Sequence, residues 1–278
     1  MSLSHLPPLL QPLVEASLAA GRAILKSYDA GLSVETKADE SPVTEADRAS
    51  EKVIDTFLRE AFPDIPVVAE EACAAHGPPE TGDRFFLVDP LDGTKEYITG
   101  SGEFTVNIAL IEDGHPVAGV VFAPALGTLY CGAGGKAFSA EADARTGTVG
   151  AFLPIHVRAA QEPPVAVASR SHLSPETAVF LDRCGCIDSR SIGSSLKFCL
   201  VAEGEADFYP RLGPTMQWDT AAGQAVLQAA GGKVVKLDGT PFLYGRPNEG
   251  GPRPFENPFF LALGDASLAG TLIEAPAA

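Results

Sequence analysis

Cations are scarce in this chain: 20 Lys and Arg stand against 36 Asp and Glu in 278 residues, a formal net charge of −16. A field of that sign repels the backbone of a DNA or RNA polymer, which excludes nucleic-acid binding. It would also repel a small phosphorylated metabolite, unless bound cations or a local group of Lys and Arg reverse the sign within one site. Cysteine is sparse too. Cys73, Cys131, Cys184, Cys186 and Cys199 are odd in number and scattered, which makes a poor disulfide framework and points to a reducing compartment. Cys184 and Cys186 are near enough to suggest a metal clip, but no second pair and no His partner accompanies them, so ordinary thiols are the preferred reading. Long apolar runs are missing: none reaches the ~18–20 residues of a membrane span. The first apolar residues (Leu9, Leu10, Leu13, Val14, Leu18, Ile24) are interrupted by Glu15, Arg22 and Lys26, and no basic residue precedes them. They form no leader peptide, and a cytoplasmic protein is expected.

What is present is a globular composition, 45% hydrophobic and 20% charged, long enough for one large core or two packed sub-domains. The apolar spacing predicts a helix over Pro8–Tyr28, a short extended segment over Leu32–Ala38 and a second helix over Asp47–Phe62. Strands follow at Ile65–Ala69 and Phe85–Val88. Phe104–Ile111 and Pro116–Phe122 flank Glu112-Asp113-Gly114 and read as an antiparallel hairpin, with a further strand at Thr128–Cys131. Ser139–Pro164, rich in Ala, Gly, Glu and Pro, reads as a border with a short strand near Ile155. It divides the chain into sub-domains 1–150 and 151–278. Beyond it, strands at Val165–Ala168 and Ala206–Tyr209 alternate with helices at Ser174–Cys184, Ser194–Glu203 and Asp219–Ala230. The pattern is that of an α/β layered fold without internal repeats.

Carboxylates gather at the ends of buried elements. Glu70-Glu71 follows Val67-Val68, Asp89-Pro90-Leu91-Asp92-Gly93-Thr94 follows Phe85–Val88, and Trp218-Asp219 opens the last helix. Each acid alone has a bland explanation: Asp219 as an N-cap, Asp92 as the start of a turn, and Glu70-Glu71 as a solvated pair. The hexapeptide resists that explanation. Pro90 takes the chain out of the ladder, Gly93 permits a tight path, and two carboxylates three residues apart can face one space with the Leu91 carbonyl between them. Those are hard oxygen donors of the kind magnesium demands. If Glu70, Asp89, Asp92 and Asp219 converge, their repulsion calls for cations, and the same cations would turn the site attractive to phosphate.

These motifs, in this order and across almost the whole chain, resemble those of the magnesium-dependent, lithium-sensitive phosphatases of the inositol monophosphatase superfamily. The last of them is Trp218-Asp219-Thr220-Ala221-Ala222-Gly223. The resemblance implies a layered α-β-α-β-α sandwich of the inositol monophosphatase and fructose bisphosphatase type. It implies two or three Mg2+ ions held by Glu70, Asp89, the Leu91 carbonyl, Asp92 and Asp219, with Glu71 reaching a metal through water. Thr94 and Glu70 would position and deprotonate the attacking water, and Asp47 would support Thr94. Asp92-Gly93-Thr94-Lys95-Glu96-Tyr97, Gly193-Ser194-Ser195-Leu196-Lys197 and Tyr209-Pro210-Arg211 are most similar to those of the CysQ-type 3'(2'),5'-bisphosphate nucleotidases, although these more often carry Phe where Tyr97 stands.

In that likeness Leu91, Asp92, Gly93, Thr94 and Asp219 contact the phosphate that leaves, while His172, Ser194, Lys197 and Arg211 bind the nucleotide. Surface solubility competes evenly as an account of Lys197 and Arg211, and a capping role competes for His172. The expected reaction is hydrolysis of 3'-phosphoadenosine 5'-phosphate to AMP and phosphate by a metal-activated water, in sulfate assimilation. The substrate partner is thus a small phosphorylated nucleotide, with no transmembrane segment. The resemblance also allows a homodimer and a peripheral position at the cytoplasmic face of the inner membrane. Three rivals stand beside this reading: an inositol or fructose bisphosphate phosphatase, a catalytically silent metal or nucleotide binder, and a redox or metal-storage protein built on Cys184 and Cys186.

Overall fold

The computed structural model describes residues 3–30, 34–36, 42–169, 174–186, 189–245 and 253–273. Along the chain the strands are β1 (Val34–Thr36), β2 (Pro42–Thr44), β3 (Val67–Ala69), β4 (Arg84–Asp92), β5 (Thr105–Glu112), β6 (His115–Ala123), β7 (Thr128–Ala133), β8 (Lys136–Asp143), β9 (Thr148–Val149), β10 (Leu153–Ile155), β11 (Ala166–Ser169), β12 (Ser189–Ile192), β13 (Phe208–Arg211), β14 (Lys233–Lys236) and β15 (Phe260–Leu263). The helices are α1 (Leu10–Ala30), α2 (Glu45–Ala61), α3 (Glu70–His76), α4 (Thr94–Thr99), α5 (Pro175–Arg183), α6 (Leu196–Ala202), α7 (Gln217–Ala229) and α8 (Leu268–Ile273).

Apart from the β1–β2 hairpin, two sheets carry the fold. The larger runs β10-β8-β7-β6-β5-β4-β3, with β9 paired to β8, and is antiparallel except where β3 lies parallel to β4. The smaller runs β12-β11-β13-β15-β14, with β11 parallel to both β12 and β13. Strand residues sort by alternation. In β4, Phe86 and Val88 face the cluster formed with α1 and α2, while Phe85 and Leu87 face the cluster shared with α6 and α7. Both faces are covered, so β5 is almost continuously apolar. The smaller sheet is likewise covered twice: by α6 and α7 on one face, and on the other by a cluster containing Phe180 of α5 and Leu272 of α8. The layers are therefore α-β-α-β-α, the architecture expected.

Helix α7 lies unusually close to the large sheet. A Cβ on Gly119 would stand 2.6 Å from the Ala222 carbonyl oxygen, and one on Gly132 2.8 Å from the Cα of Val226. Across α7, a Cβ on Gly223 would meet the Phe198 ring of α6 at 2.6 Å. The Ala and Gly of the Trp-Asp-Thr-Ala-Ala-Gly segment thus let the helix sink between the sheets, bringing its first turn to the end of β4.

Several boundaries differ from the sequence reading. Pro90 does not end its strand: pairing is interrupted between Asp89 and Asp92, then resumes with Asp92 opposite Thr105. Such a bulge removes one donor without closing the ladder. Glu70 and Glu71, read as the end of a strand-like run, are the first turn of α3. Ser139–Asp143, read as border, belongs to β8, because the β7–β8 hairpin supplies its own turn at Gly134-Gly135. Ser195, not Ser194, precedes α6.

Candidate active site

The bulge in β4 turns two aspartates toward one cavity. That cavity, of about 600 Å³, is lined by Glu70, Asp89, Leu91, Asp92, Gly93, Thr94 and Asp219, and also by Ser194, Lys197 and Arg211. The fold thus brings together Glu70, Asp89, Asp92 and Asp219 with three of the four expected nucleotide contacts, while Glu71 lines a different cavity beside Glu51. His172 lies outside the described residues.

Each aspartate has one oxygen occupied by the protein. Asp89 Oδ1 accepts the Leu91 N–H at 3.0 Å. Asp92 Oδ2 faces the Ser195 hydroxyl at 2.9 Å and the Asn107 amide at 3.3 Å. Asp219 Oδ2 accepts the Met216 N–H at 2.8 Å, so Asp219 is the third residue of α7 reaching back to its cap, not the cap itself. One oxygen is fixed in each case, which leaves the second for another partner.

The charges are costly as they stand. Burial, then the charges of Glu70, Asp92 and Asp219, pushes the Asp89 carboxyl well above the usual range. Asp219 is raised by burial and then by Asp92. Burial also raises Asp92, with Lys197, Ser195 and Asn107 acting in the opposite direction. Among the described residues no group of three or more His, Cys, Asp or Glu side chains is gathered closely enough to hold a metal ion as it stands. The carboxylates line one cavity and raise one another's pKa, and an all-oxygen donor set of that kind fits a hard divalent cation. Cys184 and Cys186 belong to no such cluster either, and both thiols are half-buried.

Gly93, at φ +93°, caps α4 in the left-handed region, where a side chain would be strained. This turn sets Thr94 at the head of α4. Its hydroxyl lies 3.5 Å from Asp47 Oδ1 and 3.5 Å from the Leu91 carbonyl oxygen, with Asp47 buried behind it.

In the same cavity, Lys197 is buried and donates to the carbonyls of Ser194 at 2.5 Å and Ile192 at 3.4 Å, with its Nζ 5.6 Å from the Tyr209 ring centroid. Burial lowers its pKa to about 8. Arg211 donates through Nη2 to the Pro214 carbonyl at 2.8 Å. Its Nε and the Ser194 hydroxyl are both buried without a hydrogen-bond partner. Buried donors left unmet are rare and costly, and two on one wall form a cradle suited to an anion.

Three residues of the site escaped sequence reasoning. Asn107 is the single amide in the apolar strand β5, an odd feature that could have been noticed. Ser195 sits inside a motif already singled out, one position from the residue chosen. Glu51 gave no signal, being one of several charges on α2. Its two oxygens accept the N–H groups of Glu71 and Ala72 at 2.7 and 2.8 Å and so hold the start of α3. Burial raises Glu51 to about 7.

Carboxylates and cationic donors lining one cavity, in an α-β-α-β-α sandwich, define a class. The inositol monophosphatase family model matches residues 5–257, and the chain belongs to that family. The 3'(2'),5'-bisphosphate nucleotidase CysQ of Escherichia coli O157:H7 is 48% identical over 254 residues, which span 91% of this chain and 98% of that protein. Among solved structures, CysQ from Bacteroides thetaiotaomicron aligns with a TM-score of 0.75 at 36% identity, covering 94% of this chain and 98% of that one. Inositol monophosphatase from Anabaena (Nostoc) sp. PCC 7120 aligns at 0.73 and 28%, covering 96% and 94%.

Proposed function

We propose that this protein is a phosphoric monoester hydrolase that removes one phosphate from a 3'(2'),5'-bisphosphate nucleotide, with 3'-phosphoadenosine 5'-phosphate as the preferred substrate and AMP as product. One observation carries the reading: a single cavity joins the carboxylate ring to a separate group of buried donors, Ser194 Oγ, Lys197 and Arg211 Nε. A substrate with two phosphates needs one at each place. The likeness to the nucleotidases supports the same choice.

Glu70, Asp89, the Leu91 carbonyl, Asp92 and Asp219 would hold Mg2+, two or three ions, with Glu71 linked through water. The metal supplies charge neutralisation, polarises the phosphoryl oxygens and acidifies a nearby water. The residues of the chain do the rest. Asp47 can accept the Thr94 hydroxyl proton, which leaves the Thr94 oxygen to accept from the attacking water and aim it. Glu70 takes that water's proton. The peptide N–H groups of Gly93 and Thr94, at the turn into α4, can face the phosphate being cleaved. Lys197 and Arg211 hold the second phosphate, and Ser194 hydrogen-bonds it. By the resemblance, His172 would also contact the nucleotide. The same proposal divides the chain near residue 150, with most metal ligands before it and Asp219 and the cradle after it. Sulfate assimilation, a cytoplasmic setting and a homodimer complete it; no helix among the described residues is long and apolar enough to cross a membrane.

The test is phosphate release from 3'-phosphoadenosine 5'-phosphate, inositol 1-phosphate and fructose 1,6-bisphosphate, each with magnesium, with EDTA and with added lithium. Fastest turnover on the nucleotide, dependent on magnesium, inhibited by lithium and abolished by Asp92→Asn, is expected. Preference for a sugar or inositol phosphate would overturn the substrate and keep the chemistry. No turnover on any of them, with magnesium still bound, would leave a binder.

A further inference from the structure

Asp92 is held by a network that neutralises none of its charge. Thr105 Oγ1 donates to Asn107 Oδ1 at 3.1 Å, which sets the amide so that its NH2 faces the site. The two amide protons then serve the Ser195 hydroxyl at 2.8 Å and Asp92 Oδ2 at 3.3 Å. Having accepted from Asn107, the Ser195 hydroxyl has one proton left to give. Two acceptors lie within its reach: Asp92 Oδ2 at 2.9 Å and the Asp219 carbonyl oxygen at 2.6 Å. Thr105, Asn107 and Ser195 are all sealed from solvent, at 0%, 0% and 2% exposure. A buried polar network with every member satisfied is rigid, and its loss leaves unmet donors behind.

Three pieces of the fold meet at that hydroxyl: the bulged end of β4, the start of β5 and the first turn of α7. We infer that Ser195 and Asn107 are positioning residues that lock Asp92 in register with Asp219, so that the free oxygens of the two aspartates are set for one cation before it arrives. The inference rests on the metal-dependent reading above. Lys197 lies nearby and could have paired with Asp92 directly, but its ammonium is committed to the carbonyls of Ser194 and Ile192. Neutral dipoles orient the Asp92 carboxylate while its charge stays available for the metal, which a salt bridge would not allow.

The test is calorimetric titration of Mg2+ into the full chain stripped of divalent ions, for wild type, Ser195→Ala and Ser195→Thr. Ser195→Ala is expected to bind Mg2+ about tenfold more weakly, in the range found when groups that orient metal ligands are removed. Ser195→Thr, which keeps the hydroxyl, should bind as wild type. At saturating Mg2+ the Ser195→Ala enzyme should recover most of its kcat, so the defect lies in the metal response and not in the fold. Asn107→Leu, close in volume, gives the same reading if Ser195→Ala fails to fold. Unchanged affinity in Ser195→Ala, or equal weakening in Ser195→Thr, overturns the inference while leaving the enzyme reading intact. A wild type that binds no Mg2+ overturns both.

Discussion

Replacing Asp89 by Asn should make the metal-free protein more stable. Asp89 is 2% exposed, and burial and then the charges of Glu70, Asp92 and Asp219 raise its carboxyl pKa. A carboxyl whose folded pKa exceeds its unfolded value binds more protons folded than unfolded between the two. The stability of the stripped protein therefore falls as pH rises through that window and recovers on acidification. Asn removes the charge, changes the shape little and keeps an oxygen to accept the Leu91 N–H. Two like charges about 6 Å apart at an effective dielectric of about 20 repel by about 3 kcal/mol. Partial protonation of the cluster relieves some of that, which leaves a gain of about 2 kcal/mol at pH 8. In a chain of this length the melting temperature moves about 2–4 °C per kcal/mol, so a rise of about 4–8 °C is expected in EDTA. Magnesium at a hundredfold excess over its Kd should stabilise wild type by about 2.7 kcal/mol and the variant far less, reversing the order. Differential scanning calorimetry at pH 5 and pH 8, with EDTA or magnesium, measures all four corners. A variant less stable than wild type in EDTA at pH 8, or an advantage that fails to shrink at pH 5, would refute the account of the site as a strained anionic ring.

Three further changes test other parts of the site. Thr94→Val should lower kcat by about 100-fold or more with magnesium affinity unchanged, and Thr94→Ser should restore most of it; equal loss in both would remove the hydroxyl from the mechanism. Lys197→Met should raise KM for the bisphosphate nucleotide about tenfold or more, in line with a lost charged hydrogen bond, and raise it far less for a substrate with one phosphate. For wild type, kcat/KM on the nucleotide should decline above pH about 8, where Lys197 loses its proton, and that limb should be absent in the Met variant. Gly119→Ala forces a methyl to within 2.6 Å of the Ala222 carbonyl; about 1–3 kcal/mol of stability should be lost, with weakened magnesium activation as α7 and Asp219 are pushed outward, and an unchanged melting temperature would show that the contact can relax.

Local pattern revealed most of the framework because the two periods in the chain are clean. The unbroken apolar run Phe85–Val88 of β4, and α1 with its apolar stripe, are visible without any knowledge of their partners. The acids were legible because the hexapeptide combines two carboxylates with Pro and Gly, a combination that capping alone does not need. Two of the misplacements depended on a distant partner. Pro90 stays within a strand because β5 resumes pairing at Thr105, and the Pro90 carbonyl is taken up by the Ser50 hydroxyl at 2.9 Å. Glu70 and Glu71 begin a helix because Glu51, from another element, satisfies the exposed N–H groups of its first turn. Asp219 serves its helix from the third position, accepting the Met216 N–H as the acid of a capping box does, where the sequence reading had it as the cap. Strands β12, β14 and β15 were not anticipated.

Helix α3 has none of its seven residues buried, yet it carries Glu70. Its neighbours in the site are fixed by the core: Asp89 and Asp92 by the large sheet, and Asp219 by a helix sunk between two sheets. Free energies of local opening scale with what a segment buries, so α3 sits near the low end and β4 near the high end. The acidic ring is therefore three parts bedrock and one part hinged door. A hydrolase must release an anion from among cations that hold it tightly, and in this molecule the wall with least buried behind it is the one whose first-turn N–H groups are held by the carboxylate of Glu51.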